Sequence, residues 1–144
     1  MKNKIFLLFI IFSLITVSFN LYAFESDKLP IEVYDGTPER GQTTLGDLFV
    51  YEVKERIRYS STMRLTNTNE ARIVISIQTM PKNPDYPNDS IIYTVNWLLA
   101  ENKIFPYFVN STLGYCGRSV YEDAARSIVA STDSIIEDIK KAFN

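Results

Sequence analysis

The chain has no histidine, one cysteine and only five glycines in 144 residues. Each shortage removes a class of chemistry. Histidine is the commonest general base, proton shuttle and metal ligand near neutral pH. Without it, Ser–His and Cys–His catalysis lose their base, and the usual zinc sites lose their imidazoles. A single cysteine cannot close a bridge within the chain, so stability rests on packing. The scattered glycines form no phosphate-cradling loop. Positive charge is short as well: 15 basic residues face 17 acidic ones, a net charge of −2. Nucleic acid needs a basic face to neutralise its phosphates, so this balance argues against it.

Cys116 lies in "GYCGRS", between a strand-like and a helix-like run. A thiol just before a helix N-terminus can be driven towards the thiolate. Here it has neither a histidine to activate it nor a second cysteine to resolve it. Free cysteine is among the most buried residue types, so a small apolar role in a tight turn is the stronger reading. An unpaired cysteine in an exported chain can also join two copies, which leaves a dimer through Cys116 open.

Residues 1–23 read as an export signal. Lys2 and Lys4 open it, Ile5–Phe19 is an apolar run, and Leu21-Tyr22-Ala23 ends on a small residue suited to cleavage. The competing reading is a retained anchor, since the stretch approaches the ~20 residues that span a bilayer. No cysteine stands near the cut to carry a lipid. Cleavage after Ala23 leaves 121 residues with 13 basic and 17 acidic side chains, a net charge of −4. That length suits one domain, residues 24–144, with a single core. The expected destination is the periplasm or the exterior.

Hydrophobic periodicity then sets out the elements. Leu29, Ile31 and Val33 alternate with polar residues as a short strand, with Pro30 placing it at an edge or a strand start. Leu45, Leu48, Phe49, Val53 and Ile57 form one stripe of a helix over about Leu45–Tyr59. Thr44 and Asp47 fit its N-terminal cap. "MRLTNTNEARIVISIQTM" reads as one strand with an irregular entry. Within it Ile73, Ile75 and Ile77 face one way, Arg72, Ser76 and Gln78 the other, and Val74 breaks the pattern. "PKNPDYPND" is a stiff turn. It has oxygen-bearing side chains but lacks the calcium-loop spacing. Ser90–Leu99 puts Ile91, Tyr93, Val95, Trp97 and Leu99 on one face. Ile104–Leu113 is a last strand, with Pro106 marking an edge. Val120–Phe143 is a long amphipathic helix with Ser119 and Glu122 at capping-box spacing and Thr132 interrupting its stripe.

The order strand–helix–three strands–helix implies an α+β, two-layer fold: two helices on one face of a mostly antiparallel four-stranded sheet. The other face stays open. On this reading it carries Arg72, Ser76, Gln78, Thr94, Asn96, Asn110 and Thr112, mixed with Ile92, Leu98 and Phe108. An apolar patch with a polar rim marks a contact surface. The candidate partner-binding residues are therefore Arg72, Ser76, Gln78, Ile92, Thr94, Asn96, Phe108 and Asn110. No catalytic residue, metal ligand or cofactor motif is identified.

This layout, with "PIEVYDG" leading into an amphipathic helix and then "VKERIRYSSTMRLTNTNEARIVISI" and "IIYTVNWLLAENKIFPYFVNSTLGY", resembles the small lipopolysaccharide-assembly lipoproteins of the Gram-negative outer membrane. The likeness covers most of residues 24–144. It lies in the architecture, and the lipid-bearing cysteine of that family is missing. It implies a non-catalytic envelope accessory that binds a protein or glycolipid partner through the open face or an edge strand. The alternatives are a secreted enzyme inhibitor presenting "PKNPDYPND", or a small hydrolase using carboxylates or Cys116.

Overall fold

The computed structural model describes residues 28–37, 44–101 and 106–143. The export reading of residues 1–23 and the expected strand start at 104–105 lie outside them. Within these described residues seven elements follow in order: β1 (Leu29–Asp35), α1 (Leu45–Arg58), β2 (Met63–Leu65), β3 (Arg72–Pro81), β4 (Ser90–Ala100), β5 (Tyr107–Gly117) and α2 (Tyr121–Phe143). The sheet has five strands in the order β2-β1-β3-β4-β5.

The α+β class and the two helices agree with the sequence reading; the strand count and the pairing do not. Met63–Leu65 is a separate strand, parallel to β1 on the side away from β3. β3 runs parallel to β1 on the other side, while β3–β4 and β4–β5 are antiparallel. The sheet is thus open and mixed. What reads as one strand with a rough entry is two strands that flank β1. A three-residue strand carries no measurable alternation of its own, which is why periodicity misses it. β1 is also an inner strand despite Pro30. The ladder to β3 begins only at Ile31↔Ile73, so the missing Pro30 N–H falls ahead of that pairing.

Local chemistry sets the start of α1. The Thr44 hydroxyl accepts the Asp47 N–H (3.4 Å) and the Asp47 carboxylate accepts the Thr44 N–H (2.5 Å), a complete capping box. A further orphan amide, Leu45 N–H, donates to the Asn88 side chain at 3.1 Å. The proline-rich turn is thereby pinned to the helix start. α2 begins one residue later than Ser119 would dictate: its first bond runs from Ala124 N–H to the Val120 carbonyl, which puts Val120 at the cap.

The core lies between the helices and one face of the sheet. Ile31, Phe49, Val53, Ile57, Met63, Ile75, Ile77, Ile91, Val95 and Ala125 are fully buried, and Trp97 very nearly so. Each large apolar side chain withdrawn from water contributes about 1.5–3 kcal/mol. Thr132, the polar interruption in the α2 stripe, has a specific task. It accepts the indole N–H of Trp97 at 2.8 Å and donates to the Ile128 carbonyl at 2.9 Å. Both groups are buried and both are satisfied. Two glycines permit close approaches. A Cβ on Gly46 would strike Thr79, and one on Gly114 would strike the Tyr93 ring. That ring lies across β5 and stacks on Phe49 at 4.7 Å.

Candidate functional site

Side chains alternate across a strand, so the pairing register assigns each residue to a face. Ile73, Ile75 and Ile77 of β3 pair with Leu99, Trp97 and Val95 of β4 and are buried beneath the helices. The intervening residues form rows across the bare face. One row is Glu32–Val74–Leu98–Phe108. The next is Tyr34–Ser76–Asn96–Ser111, then Gln78–Thr94–Leu113, and last Met80–Ile92–Tyr115. Val74 is therefore no break in the pattern; it is part of an apolar row on this face.

Seven of the eight predicted residues, Arg72, Ser76, Gln78, Ile92, Thr94, Asn96 and Phe108, come together on the bare face. Asn110 does not. It pairs with Trp97, and Thr112 pairs with Val95, so both lie on the helix side of β5. The cause is a bulge. The register passes from Trp97↔Asn110 to Leu98↔Phe108 and leaves Val109 unmatched. One extra residue inverts which side chains face out. The same inversion hides two residues that sequence reasoning missed, Leu113 and Tyr115. They are 72% and 64% exposed, beside Phe108 at 65%. Tyr34 and Met80 are also exposed apolar side chains of these rows. Counting back by twos from the buried Cys116 puts Gly114, Thr112 and Asn110 on the covered side and leaves Tyr115 and Leu113 on the bare one.

The face has an ion-paired corner at β2 and a polar centre, with large apolar side chains around that centre. At the β2 end, Arg64 grips Glu70 through two bonds of 3.0 and 2.6 Å, and the hydroxyls of Thr66 and Thr68 donate to the same carboxylate at 2.7 and 2.8 Å. These donors hold the Glu70 carboxyl down at about 2, the Arg64 bonds contributing most. Arg72 is paired with Glu32 at 2.5 Å. At the far end Lys82 sits over the Tyr115 ring, 4.8 Å from its centre. A groove of about 300 Å³ at the β3–β4 hairpin end is lined by Gln78, Met80, Ile92 and Thr94, together with Gly36 and Tyr93.

Cys116 lies within β5, opposite Ile91, and not in a turn ahead of a helix. Only 2% of it is exposed, and burial pushes its thiol above the usual range. The helix dipole that would favour a thiolate begins beyond it, at Tyr121. Among the described residues, no group of three or more His, Cys, Asp or Glu side chains is arranged to hold a metal ion. No helix among them is long and apolar enough to cross a membrane.

Neither a family model nor a curated protein matches the sequence. The chain path is similar to that of the hypothetical protein CT253 from Chlamydia trachomatis, with 12% identity and a TM-score of 0.50, covering 76% of this chain and 98% of that one. Rare lipoprotein B from Shewanella oneidensis matches over the same shares at 12% identity and a TM-score of 0.38. A minor lipoprotein from Acinetobacter baumannii matches at 14% identity over 69% and 86%, with a TM-score of 0.34. At 12% identity the first likeness is one of fold alone.

Proposed function

We propose that the chain is a non-catalytic accessory protein of the bacterial cell envelope that captures a partner on the bare face of its sheet. The observation that carries this reading is the run of exposed Phe108, Leu113, Tyr115, Met80 and Tyr34 around a polar centre of Ser76, Asn96 and Thr94. Water-exposed aromatic and aliphatic side chains grouped in this way lower their free energy by being covered. The export signal read in residues 1–23 would deliver the domain to the envelope.

Charge supports a protein over an anionic glycolipid. Among the described residues, the cations bordering the face are engaged, Arg64 with Glu70, Arg72 with Glu32 and Lys82 with Tyr115. A phosphorylated headgroup would have to break these contacts, whereas a protein surface of mixed polarity would not. A protein partner is therefore favoured. The absence of histidine and the burial of Cys116 support a binding role over catalysis.

The test is capture from the protein's own envelope, comparing the native chain with Thr94→Lys, Asn96→Lys and Phe108→Ser combined. The combined variant should lose a partner that the native chain retains, while its melting temperature stays within a few degrees. Equal capture by both proteins would reject the bare face as the site.

A further inference from the structure

The two edges of the sheet differ in a way that points to a second copy of the chain. β2 is three residues long, and its Arg64 is locked to Glu70. A short, charged edge of this kind discourages further pairing. β5 is eleven residues long, "YFVNSTLGYCG", with no Asp, Glu, Lys, Arg or Pro. It has none of those protections, and its single bulge lies near its start.

Its free hydrogen-bonding groups can be assigned. Arg118 N–H donates to the Asp89 carbonyl at 3.0 Å, which continues the β4–β5 ladder one step beyond Ser90↔Gly117. In an antiparallel ladder, hydrogen-bonded pairs alternate with non-bonded ones. Cys116, Gly114, Thr112 and Asn110 therefore direct their backbone groups at β4. Ser111, Leu113 and Tyr115 direct theirs outward. The Ser111 amide bears this out, since its N–H is taken by its neighbour's side chain, Asn110 Oδ1 at 2.8 Å, and not by β4.

We infer that β5 pairs antiparallel with β5 of a second copy across a two-fold axis at Leu113, joining two sheets edge to edge. The bulge at Val109 ends the regular ladder, so the usable run is Asn110–Cys116, and its midpoint is Leu113. In this register Leu113 meets its own copy and Ser111 meets Tyr115 on the bare face. On the helix side Thr112 meets Gly114 and Asn110 meets Cys116. Every pair keeps bare face to bare face, and no like charges meet. The outward groups of Ser111, Leu113 and Tyr115 supply about six ladder bonds, two of them formed once each Ser111 N–H exchanges Asn110 Oδ1 for the Tyr115 carbonyl of the other copy. The joint runs through backbone, so it does not need the buried Cys116 thiol.

Sedimentation velocity across a range of protein concentrations reads the association, with thermal unfolding as the control for folding. The native protein should form a dimer under reducing conditions, and Cys116→Ser should leave its dissociation constant unchanged. Leu113→Lys and Leu113→Asp should each weaken the dimer by roughly tenfold or more, by setting like charges against each other at the axis. An equimolar mixture of the two should restore association as a heterodimer, an outcome that requires residue 113 to face its copy. Amide exchange at Leu113 and Tyr115 should slow as concentration rises. A monomer at every concentration, or a dimer indifferent to both charges, would overturn the inference. Partner capture on the bare face is scored separately, with Thr94, Asn96 and Phe108, so either reading can fail alone.

Discussion

The two faces of the sheet are built from the same strands, yet they differ in almost every physical respect. Along β4, Ile91, Val95 and Trp97 lie under the helices, nearly or wholly out of water. Their neighbours Ile92, Thr94 and Asn96 remain partly solvated on the other side. The covered face holds the buried link from Trp97 to Thr132, and both partners are satisfied. The bare face keeps a cluster of polar contacts in one corner, around Glu70, and leaves large apolar side chains in water. The difference separates two demands. The covered face is shaped for stability, where each methylene counts. The bare face contributes little to folding and is free to be shaped for contact.

Three substitutions sharpen this contrast, from the largest expected effect to the smallest. Trp97→Ala empties the centre of the covered face and should cost about 3–5 kcal/mol in denaturant unfolding. Thr132→Val keeps the shape of the covered face but strands the indole N–H of Trp97, and should cost about 1–3 kcal/mol. A neutral result would show that water reaches Trp97. Phe108→Ala on the bare face should cost about 0.5 kcal/mol or less. A loss similar to that of Trp97→Ala would mean that the bare face is packed in solution.

A comparably small effect belongs to the polar corner. The Glu70 carboxyl is held at about 2 in the fold against an ordinary value of 4.5. A depressed carboxylate contributes stability above its unfolded value, and that stability is lost as pH falls through the folded one. Glu70→Gln should therefore lower stability at neutral pH by less than about 1 kcal/mol, because the Arg64–Glu70 pair is partly exposed. The gap to the native protein should close as pH falls from about 4.5 towards 2. Thermal unfolding over that range checks it, and a gap independent of pH would contradict the assignment.

The candidate site was legible in the sequence wherever alternation ran unbroken. Ile73, Ile75 and Ile77 against Ser76 and Gln78 fix both faces of β3, and Thr94 with Asn96 fixes β4. Legibility failed at irregularities. The Val109 bulge put Asn110 on the wrong face and hid Leu113 and Tyr115, because period-two counting cannot see an inserted residue. β2 was absorbed into β3 because three residues are too few to show a period. The turn was assigned to Cys116 because its flanking glycines suggest punctuation. One of them, Gly114, is in fact there to make room for Tyr93.

By itself the sequence determined the alternation of its strands, the stripes of its helices, the Thr44–Asp47 cap and the lack of any histidine-based chemistry. These depend on residues a few positions apart, or on composition alone. Only the tertiary structure decided that β1 lies inside the sheet, that Cys116 is buried in β5, and that an uncharged edge ends the sheet. Those follow from which segments meet, and that choice is made by burying the whole core at once.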